Sequence, residues 1–311
     1  MSRDAFSYDP QDTRETPQRR SIRGRPSTPA DSGDVRRAPA ETSERSEVTT
    51  PQERHSESGE RNDSPRAYHV RDRAYLLRDS ELHSLKEVGT FRVIAALDLA
   101  KHAYQGDRER MEKDIRHLRQ QGLLNDKTIE ISQKKSLRVL TLTKAGHRIL
   151  TRTNQLPDEQ VIYHGLLKPR EVKHDADLYR LYQKEAARIE RAGGRPSRVI
   201  LDYELKKNLN RDLALLGPDR DDQERKNEVA EKHGLHLVNG KIPVPDLRIE
   251  YETADLEIRQ IDLELATREY RPKALAEKAA AGFALYSRSE DALRVRRILD
   301  ERELTAGLLT L

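Results

Sequence analysis

The sequence predicts an α+β protein with several domains, and three observations support this class. Residues 1–70 are rich in Ser, Thr, Pro, Arg and Glu and poor in large apolar residues. Residues 71–153 combine amphipathic helical periodicity with two short strand-like runs, and residues 154–311 alternate between helical and strand patterns. These patterns predict an N-terminal disordered tail, a small helical domain with a β-ribbon, and a C-terminal α/β domain.

The composition excludes several classes of protein. The chain has 311 residues and no cysteine, so disulfides, cysteine-ligated zinc and thiol chemistry are excluded. No apolar stretch is long enough to span a bilayer, and the first residues lack the apolar core of a signal peptide. We therefore expect a cytoplasmic protein with no membrane partner.

Positive charge is concentrated in the middle of the chain. Residues 71–153 hold 18 Lys and Arg against 11 Asp and Glu, a local net charge of +7, whereas the whole chain carries +4. The segments on either side are each slightly acidic. A basic excess confined to one segment favours a polyanionic partner for that segment.

The middle segment begins with helical patterns. A first helix is predicted over residues 81–88 and is expected to end at Gly89, because glycine weakens a helix. A short second helix follows. Asp107 is the predicted N-cap of a third helix over residues 108–121, whose polar face is basic.

A hairpin with a lysine tip is predicted after the third helix. Strand-like runs at residues 127–132 and 137–142 flank the tip. This is the layout of a winged helix-turn-helix, in which the third helix enters the major groove of DNA and the wing lies along phosphates. The alternative is a winged helix that binds another protein, since the fold alone does not prove DNA binding. The local charge favours DNA.

The predicted partner is therefore double-stranded DNA. Arg108 and Arg110, at the N-terminus of the third helix, are expected to reach base edges. Other cations are expected to contact phosphates, which fix the register on DNA without reading its sequence. These are Lys113, Arg116, Arg119, Lys134 and Lys135. The layout is also compatible with a homodimer on a palindromic site.

Two acidic strands stand out in the C-terminal segment, at residues 244–250 and 258–266. Alternate side chains of a strand share a face, so a hairpin would gather Asp246, Asp262 and Glu264 on one face. Clustered carboxylates suit Mg²⁺, which prefers oxygen ligands. The alternative is a half-solvated hairpin whose charges face water.

Glu185 is a further acidic candidate. It lies on the apolar stripe of a helix predicted to start at Asp175 and to end near residue 192. An inward-facing carboxylate is costly unless it is paired or bound to a metal. The commoner explanation is a glutamate at the edge of a helix that reaches solvent.

The order of elements in the C-terminal segment and its Pro245-Asp246…Asp262-Leu263-Glu264 spacing resemble a PD-(D/E)xK nuclease core, a restriction-endonuclease-like α/β domain. Over about residues 75–290 the chain resembles the replication-relaxation family of plasmids and integrated mobile elements. The motifs that carry this resemblance are Val88-Gly89-Thr90-Phe91-Arg92, His174-Asp175, Val244-Pro245-Asp246, Asp262-Leu263-Glu264-Leu265, Lys278 and Tyr286.

The resemblance implies a set of site residues. Asp246 and Glu264 take metal-ligand positions, Asp262 is a third carboxylate, and Glu185 matches the acidic residue that some nuclease cores carry on their first helix. Mg²⁺ is the cofactor that this set implies, and no other cofactor is indicated.

The lysine of the nuclease motif is missing from its usual place. Two residues after Glu264 stands Ala266, which can neither hydrogen-bond water nor offset phosphate charge. Lys278 on the following helix, or Arg268, is the candidate to supply the cation instead. The candidate catalytic residues are therefore Asp246, Glu264 and Lys278.

Three functions remain open. The first is a DNA-binding accessory protein in replication or mobilisation of a plasmid or mobile element, with a degenerate nuclease-like domain. Such a protein would associate with nucleoid or plasmid DNA and with replication or mobilisation proteins. The second is an active Mg²⁺-dependent DNA endonuclease or nickase, against which Ala266 counts. The third is a winged-helix transcriptional regulator.

Overall fold

The computed structural model describes residues 64–70, 73–132, 135–153, 156–157, 159–165, 169–217, 221–301 and 307–311. Helices and strands are mixed along the chain, which confirms the predicted α+β class. The predicted disorder of residues 1–63 and the predicted wing residue Lys134 lie outside the described residues.

The first module, residues 66–153, packs helices on a small antiparallel sheet. Its elements are β1 (Arg66–Val70), β2 (Arg73–Leu77), α1 (Asp79–Phe91), β3 (Ile94–Ala95), α2 (Ala96–Ala103), α3 (Arg108–Gln120), β4 (Leu124–Ser132), β5 (Lys135–Leu142) and α4 (Lys144–Thr153). Strands β4 and β5 form a hairpin, and β3 pairs with the other side of β5. Asp107 is the N-cap of α3, as predicted, since its side chain accepts a hydrogen bond from the backbone amide of Arg110.

Gly89 does not end α1, so that prediction is wrong. The helix continues to Phe91, and Gly89 is buried within it. A Cβ atom at this position would lie 2.8 Å from a side-chain carbon of Ile162 and 3.1 Å from one of Leu150. Close packing against these two side chains, and not helix termination, is the reason for glycine here.

A hairpin that the sequence did not predict precedes α1. Strands β1 and β2 pair antiparallel and bury Val70, Tyr75 and Leu77. Strand β1 falls inside the range predicted to be disordered, so the folded part begins earlier than expected. Strand β1 has only two inward-facing positions, and they lie in a polar stretch. Two positions are too few for the alternation of a strand to be visible in the sequence.

The second module, residues 169–311, is built on a five-stranded sheet. Its elements are α5 (Pro169–Arg191), β6 (Arg195–Leu201), α6 (Asp202–Leu215), α7 (Asp222–Lys232), β7 (Leu247–Glu252), β8 (Ile258–Ala266), α8 (Pro272–Ala280), β9 (Ala284–Ser287), α9 (Ala292–Glu301) and β10 (Leu308–Thr310). The strand order is β10-β9-β8-β7-β6, in which β6, β7 and β8 are antiparallel and β8, β9 and β10 are parallel.

The predicted acidic hairpin is confirmed as the β7–β8 pair, with Arg248 opposite Asp262. Helix α5 packs on one face of this sheet, against Leu263 and Leu265 of β8. Helices α8 and α9 pack on the other face, with Ala266. Helix α5 begins at Pro169 and not at Asp175, which therefore lies inside the helix.

The two modules share one hydrophobic core. Leu85 of α1 belongs to the same buried cluster as Leu181 of α5 and Leu263 of β8. The rings of Phe91 and Tyr179 pack edge to face with their centroids 5.1 Å apart. The described residues from Ser64 to Leu311 accordingly belong to one compact unit. Every helix in the described ranges is too short or too polar to cross a bilayer.

Candidate functional site

Helix α3 separates its apolar and basic faces. Met111, Ile115 and Leu118 are buried against the rest of the first module. The five predicted DNA-binding cations of this helix are all exposed: Arg108, Arg110, Lys113, Arg116 and Arg119. Lys135, at the start of β5, is exposed as well. The exposed side of α3 is called the basic face below.

A buried polar network fixes the orientation of α3. Asp114 of this helix accepts hydrogen bonds from the Ser80 hydroxyl at 2.7 Å and the Tyr104 hydroxyl at 3.0 Å. His117, also on α3, lies 2.5 Å from a carboxylate oxygen of the fully buried Glu81 on α1. Because these contacts lie on the inner side of α3, they hold the helix while its basic face stays in solvent.

The base of the β4–β5 hairpin is tied to α3 by one arginine. Arg138 of β5 donates hydrogen bonds to Asp126 of β4 and to Glu112 of α3, each through two nitrogens. Arg119 also lies 3.3 Å from Asp126, so part of the positive charge of Arg119 is already offset. The relative position of helix and hairpin is therefore set by paired charges.

Asp246 and Glu264 come together where β7 begins. The backbone amide of Asp246 donates to Glu264 Oε2 at 3.2 Å, and the backbone amide of Leu265 donates to Asp246 Oδ2 at 2.9 Å. The antiparallel register of β7 and β8 creates this arrangement. Leu247 pairs with Leu263, and this pairing places Asp246 opposite Glu264. The predicted carboxylate pair is thus present; its role stays a prediction.

Lys278 completes a group of three residues that we call the carboxylate–lysine cluster: Asp246, Glu264 and Lys278. Its Nζ atom lies 2.9 Å from each carboxylate oxygen of Glu264 and also donates to the backbone carbonyl of Val244. Helix α8 follows β8 in the chain and places this amine against Glu264. The sequence alone named Lys278 as a candidate but could not place it.

Burial governs the protonation of Glu264. Its side chain is fully buried. Burial and the neighbouring charge of Asp246 raise the pKa of Glu264 to about 7, although Lys278 and a hydrogen bond from Tyr270 oppose the rise. Burial also disfavours the charge on Asp246, but His174 and Lys278 hold the pKa of Asp246 below its usual value. The pair therefore holds one carboxyl group that is readily ionised and one that titrates near neutral pH.

His174 is a site residue whose contact the sequence did not predict. Its Nε2 lies 3.3 Å from Asp246 Oδ2, and its Nδ1 lies 3.5 Å from Asp175. Burial lowers the pKa of His174, but the hydrogen bonds and charges of Asp175 and Asp246 raise it to about 10. A protonated imidazole therefore flanks the pair. The only sequence signal was the His174-Asp175 motif itself.

Two predicted metal ligands lie elsewhere. Asp262 is held by Arg248, whose Nε and second terminal nitrogen contact its two oxygens at 2.6 and 2.8 Å. Glu185 is fully buried on the α5 face of the sheet, where Arg188 and Tyr286 donate hydrogen bonds to it. The structure brings neither residue into contact with the Asp246–Glu264 pair, and each has a structural partner of its own.

The two remaining carboxylates suit Mg²⁺ in number, since this ion is commonly held by one or two protein carboxylates together with water and substrate phosphates. In the described ranges no group of three or more His, Asp or Glu side chains has a geometry that could hold a metal ion. A metal at this site would therefore depend on Asp246 and Glu264, with substrate oxygens filling further positions.

Comparison with known proteins does not extend these observations. No protein-family model, curated protein or solved structure matches the chain.

Proposed function

We propose that this protein binds duplex DNA through its first module and cleaves a phosphodiester bond with the carboxylate–lysine cluster. The first half of the proposal follows from the winged-helix order of α1, β3, α2, α3 and the β4–β5 hairpin, together with the exposed basic face of α3. Backbone phosphates would supply most of the binding energy.

The second half depends on one observation, the position of the Lys278 amine 2.9 Å from Glu264. The absence of a lysine after Glu264 was the main argument against cutting. With Lys278 in contact with Glu264, the cluster contains two acids and one amine, the side-chain types of a PD-(D/E)xK centre. The second module then corresponds to a nuclease-like domain whose lysine has moved to the next helix.

Each residue has a distinct role in this proposal. Asp246 and Glu264 would hold Mg²⁺, which when bound supplies Lewis-acid stabilisation of phosphoryl oxygens. The Lys278 amine offsets negative charge that develops on the phosphate. The imidazolium of His174 orients Asp246 and keeps it ionised. Water would be the nucleophile: its oxygen forms the new bond to phosphorus as the bond to the leaving sugar oxygen breaks, and that sugar oxygen takes up a proton released from the water.

A second candidate is a DNA-binding accessory protein of plasmid or mobile-element replication that does not cut. One observation favours it: both oxygens of Glu264 already accept hydrogen bonds from protein donors, namely Lys278, Tyr270 and the Asp246 amide. Such a carboxylate is neutralised within the protein and need not bind a metal. The basic face would then carry the whole function.

Incubation with supercoiled plasmid and Mg²⁺ or Mn²⁺ separates the two candidates. We expect nicking by the unaltered protein and its loss in Asp246→Ala and Glu264→Ala, while Asp255→Ala, an exposed acid between β7 and β8, is the matched control. Retained duplex binding without nicking by the unaltered protein would favour the accessory role and contradict cleavage.

The DNA-binding half has its own test. Replacement of both Arg108 and Arg110 by Ala is expected to weaken duplex affinity at least about tenfold, because arginines that reach base edges each contribute to discrimination. Unchanged affinity in a fluorescence anisotropy titration would remove α3 from the recognition role.

A further inference from the structure

Helix α6 exposes an aromatic ring followed by polar and basic side chains on one face. Tyr203, Lys206, Lys207 and Asn210 recur at helical spacing, so they lie along the same side of the helix. All four side chains are exposed to solvent, and Tyr203 is 56% exposed. We call Tyr203, Lys206 and Lys207 the α6 surface.

The ring of Tyr203 is part of a cationic aromatic group. The guanidinium carbon of Arg92, at the end of α1, lies 5.9 Å from the ring centroids of both Tyr203 and Tyr163. The two tyrosine rings are themselves edge to face, with centroids 6.5 Å apart. An exposed ring beside a guanidinium is the combination on which nucleobases stack in single-stranded nucleic-acid sites.

The α6 surface is adjacent to the carboxylate–lysine cluster through two connections. The backbone amide of Asp202, the residue before Tyr203, donates to the backbone carbonyl of Asp246 at 3.2 Å. On the other side, Arg92 lies 3.4 Å from Asp175, which contacts His174, the partner of Asp246. The ring and the guanidinium therefore stand beside the proposed site of cleavage.

The lysines of this surface suit a strand that continues along α6. Lys206 is paired with Asp202 at 2.7 Å, but both side chains reach solvent, and an exposed pair of this kind contributes little to stability. Lys206 can therefore exchange Asp202 for a phosphate at small cost. Lys207 is exposed on the same side.

We propose that the α6 surface and Arg92 bind an unpaired DNA strand and stack one of its bases on Tyr203 next to Asp246. The inference deepens the proposed function, on which it rests, because it names the substrate class: DNA with an unpaired nucleotide at the cleavage site. A base can stack on an exposed ring only after it has left the duplex, so fully paired DNA would not use this surface.

The test measures binding without cleavage. Full-length protein is titrated, in the presence of a chelator, with a fluorescein-labelled single-stranded oligonucleotide and with the matching duplex. Tyr203→Ala is expected to weaken single-strand affinity about tenfold, because one stacked base is lost. Tyr203→Phe keeps the ring and should retain affinity, and Leu215→Ala, an exposed apolar residue near the other end of α6, is the matched control.

The outcomes separate this inference from the proposed cleavage. Loss of single-strand affinity in Tyr203→Ala, with duplex affinity unchanged, supports the inference. Unchanged single-strand affinity, or an equal loss for both probes, overturns it even if Glu264-dependent nicking is found. Absence of nicking by the unaltered protein contradicts cleavage, and the single-strand affinity of Tyr203→Ala then still decides whether the α6 surface binds an unpaired strand. Quenching of 2-aminopurine in the single strand by the unaltered protein and Tyr203→Phe, but not by Tyr203→Ala, gives a second readout of stacking.

Discussion

The basic face of α3 and the carboxylate–lysine cluster hold their charges in opposite ways. The cations of α3 stand in solvent around a helix whose inner side is anchored by Asp114 and His117. Glu264 is fully buried and is surrounded by donors from the residue before β7, from α8 and from the β8–α8 connection. Exposed charges need no partner within the protein, whereas a buried charge is tolerated only with partners that the fold supplies.

This difference bears on function. A solvated cation can exchange water and ions for phosphate at little cost, so the basic face suits reversible binding of a long polyanion. Buried carboxylates beside an amine are positioned in advance by the fold, which is the arrangement that the proposed chemistry on one bond requires.

Replacement of Lys278 should damage the proposed chemistry most. Lys278→Met is expected to lower the nicking rate at least about 100-fold, because the positioned amine no longer offsets charge near Glu264. Lys273→Met, on the exposed side of the same helix, is the matched control and should keep the rate. Equal rates for the two variants in a plasmid-nicking time course would show that Lys278 has no part in cleavage.

Replacement of Arg248 should lower stability. Arg248 is buried and holds Asp262, so Arg248→Met leaves a mostly buried carboxylate unpaired and is expected to reduce the free energy of unfolding by about 3 kcal/mol. Arg259→Met on the same strand pair removes an exposed ion pair with Glu257. This change should alter the free energy of unfolding by less than about 1 kcal/mol. Urea denaturation measures both, and similar losses would contradict a structural role for the Arg248–Asp262 pair.

The raised pKa of Glu264 predicts a pH-dependent difference between the unaltered protein and Glu264→Gln. The folded protein binds this proton more tightly than the unfolded chain, so the stability that Glu264 contributes is present at low pH and is lost as pH rises from about 4.5 to about 7. Without metal, the stability of the unaltered protein relative to Glu264→Gln should fall by about 3 kcal/mol across this range. A difference that does not change with pH, in chelator-treated samples, would mean that Glu264 has an ordinary pKa.

A single phosphate contact on α3 should have the smallest effect. Arg116→Ala is expected to reduce the slope of log affinity against log salt for duplex DNA by about 0.9, because one counterion fewer is released. Arg297→Ala, an exposed arginine of α9, should leave the slope unchanged. Anisotropy titrations at several salt concentrations measure the slope, and equal slopes for Arg116→Ala and the unaltered protein would place Arg116 outside the interface.

Local patterns predicted the features that depend on residues close together in sequence. Asp107 was recognised as an N-cap, and the acidic hairpin follows from short-range periodicity. The predictions that failed concern positions whose structure is set by packing against residues distant in sequence. Gly89 was taken as a helix end because its neighbour Ile162 is far away in sequence. Strand β1 was missed because its partner strand and its core contacts, and not its own composition, make it a strand.

Among the site residues, strand alternation was enough to pair Asp246 with Glu264, but it also grouped Asp262 with them. Alternation assigns a residue to one face of the sheet but does not identify the side chain that it contacts there. Asp262 contacts Arg248, which stands directly opposite it on β7. For Glu185 the explanation held to be commoner, a helix-edge glutamate that reaches solvent, is wrong: the side chain is fully buried, and its partners Arg188 and Tyr286 were not apparent from the helical stripe.

The sequence by itself determined the α+β class, the basic middle segment, the third helix and the acidic strand pair, because these depend on composition and on contacts between near neighbours. Only the tertiary structure decided that Lys278 and His174 meet the carboxylates and that Asp262 and Glu185 do not. The physical reason is that a buried charge takes its partners from elements that are distant in sequence, and their arrangement is set by how helices pack on the sheet.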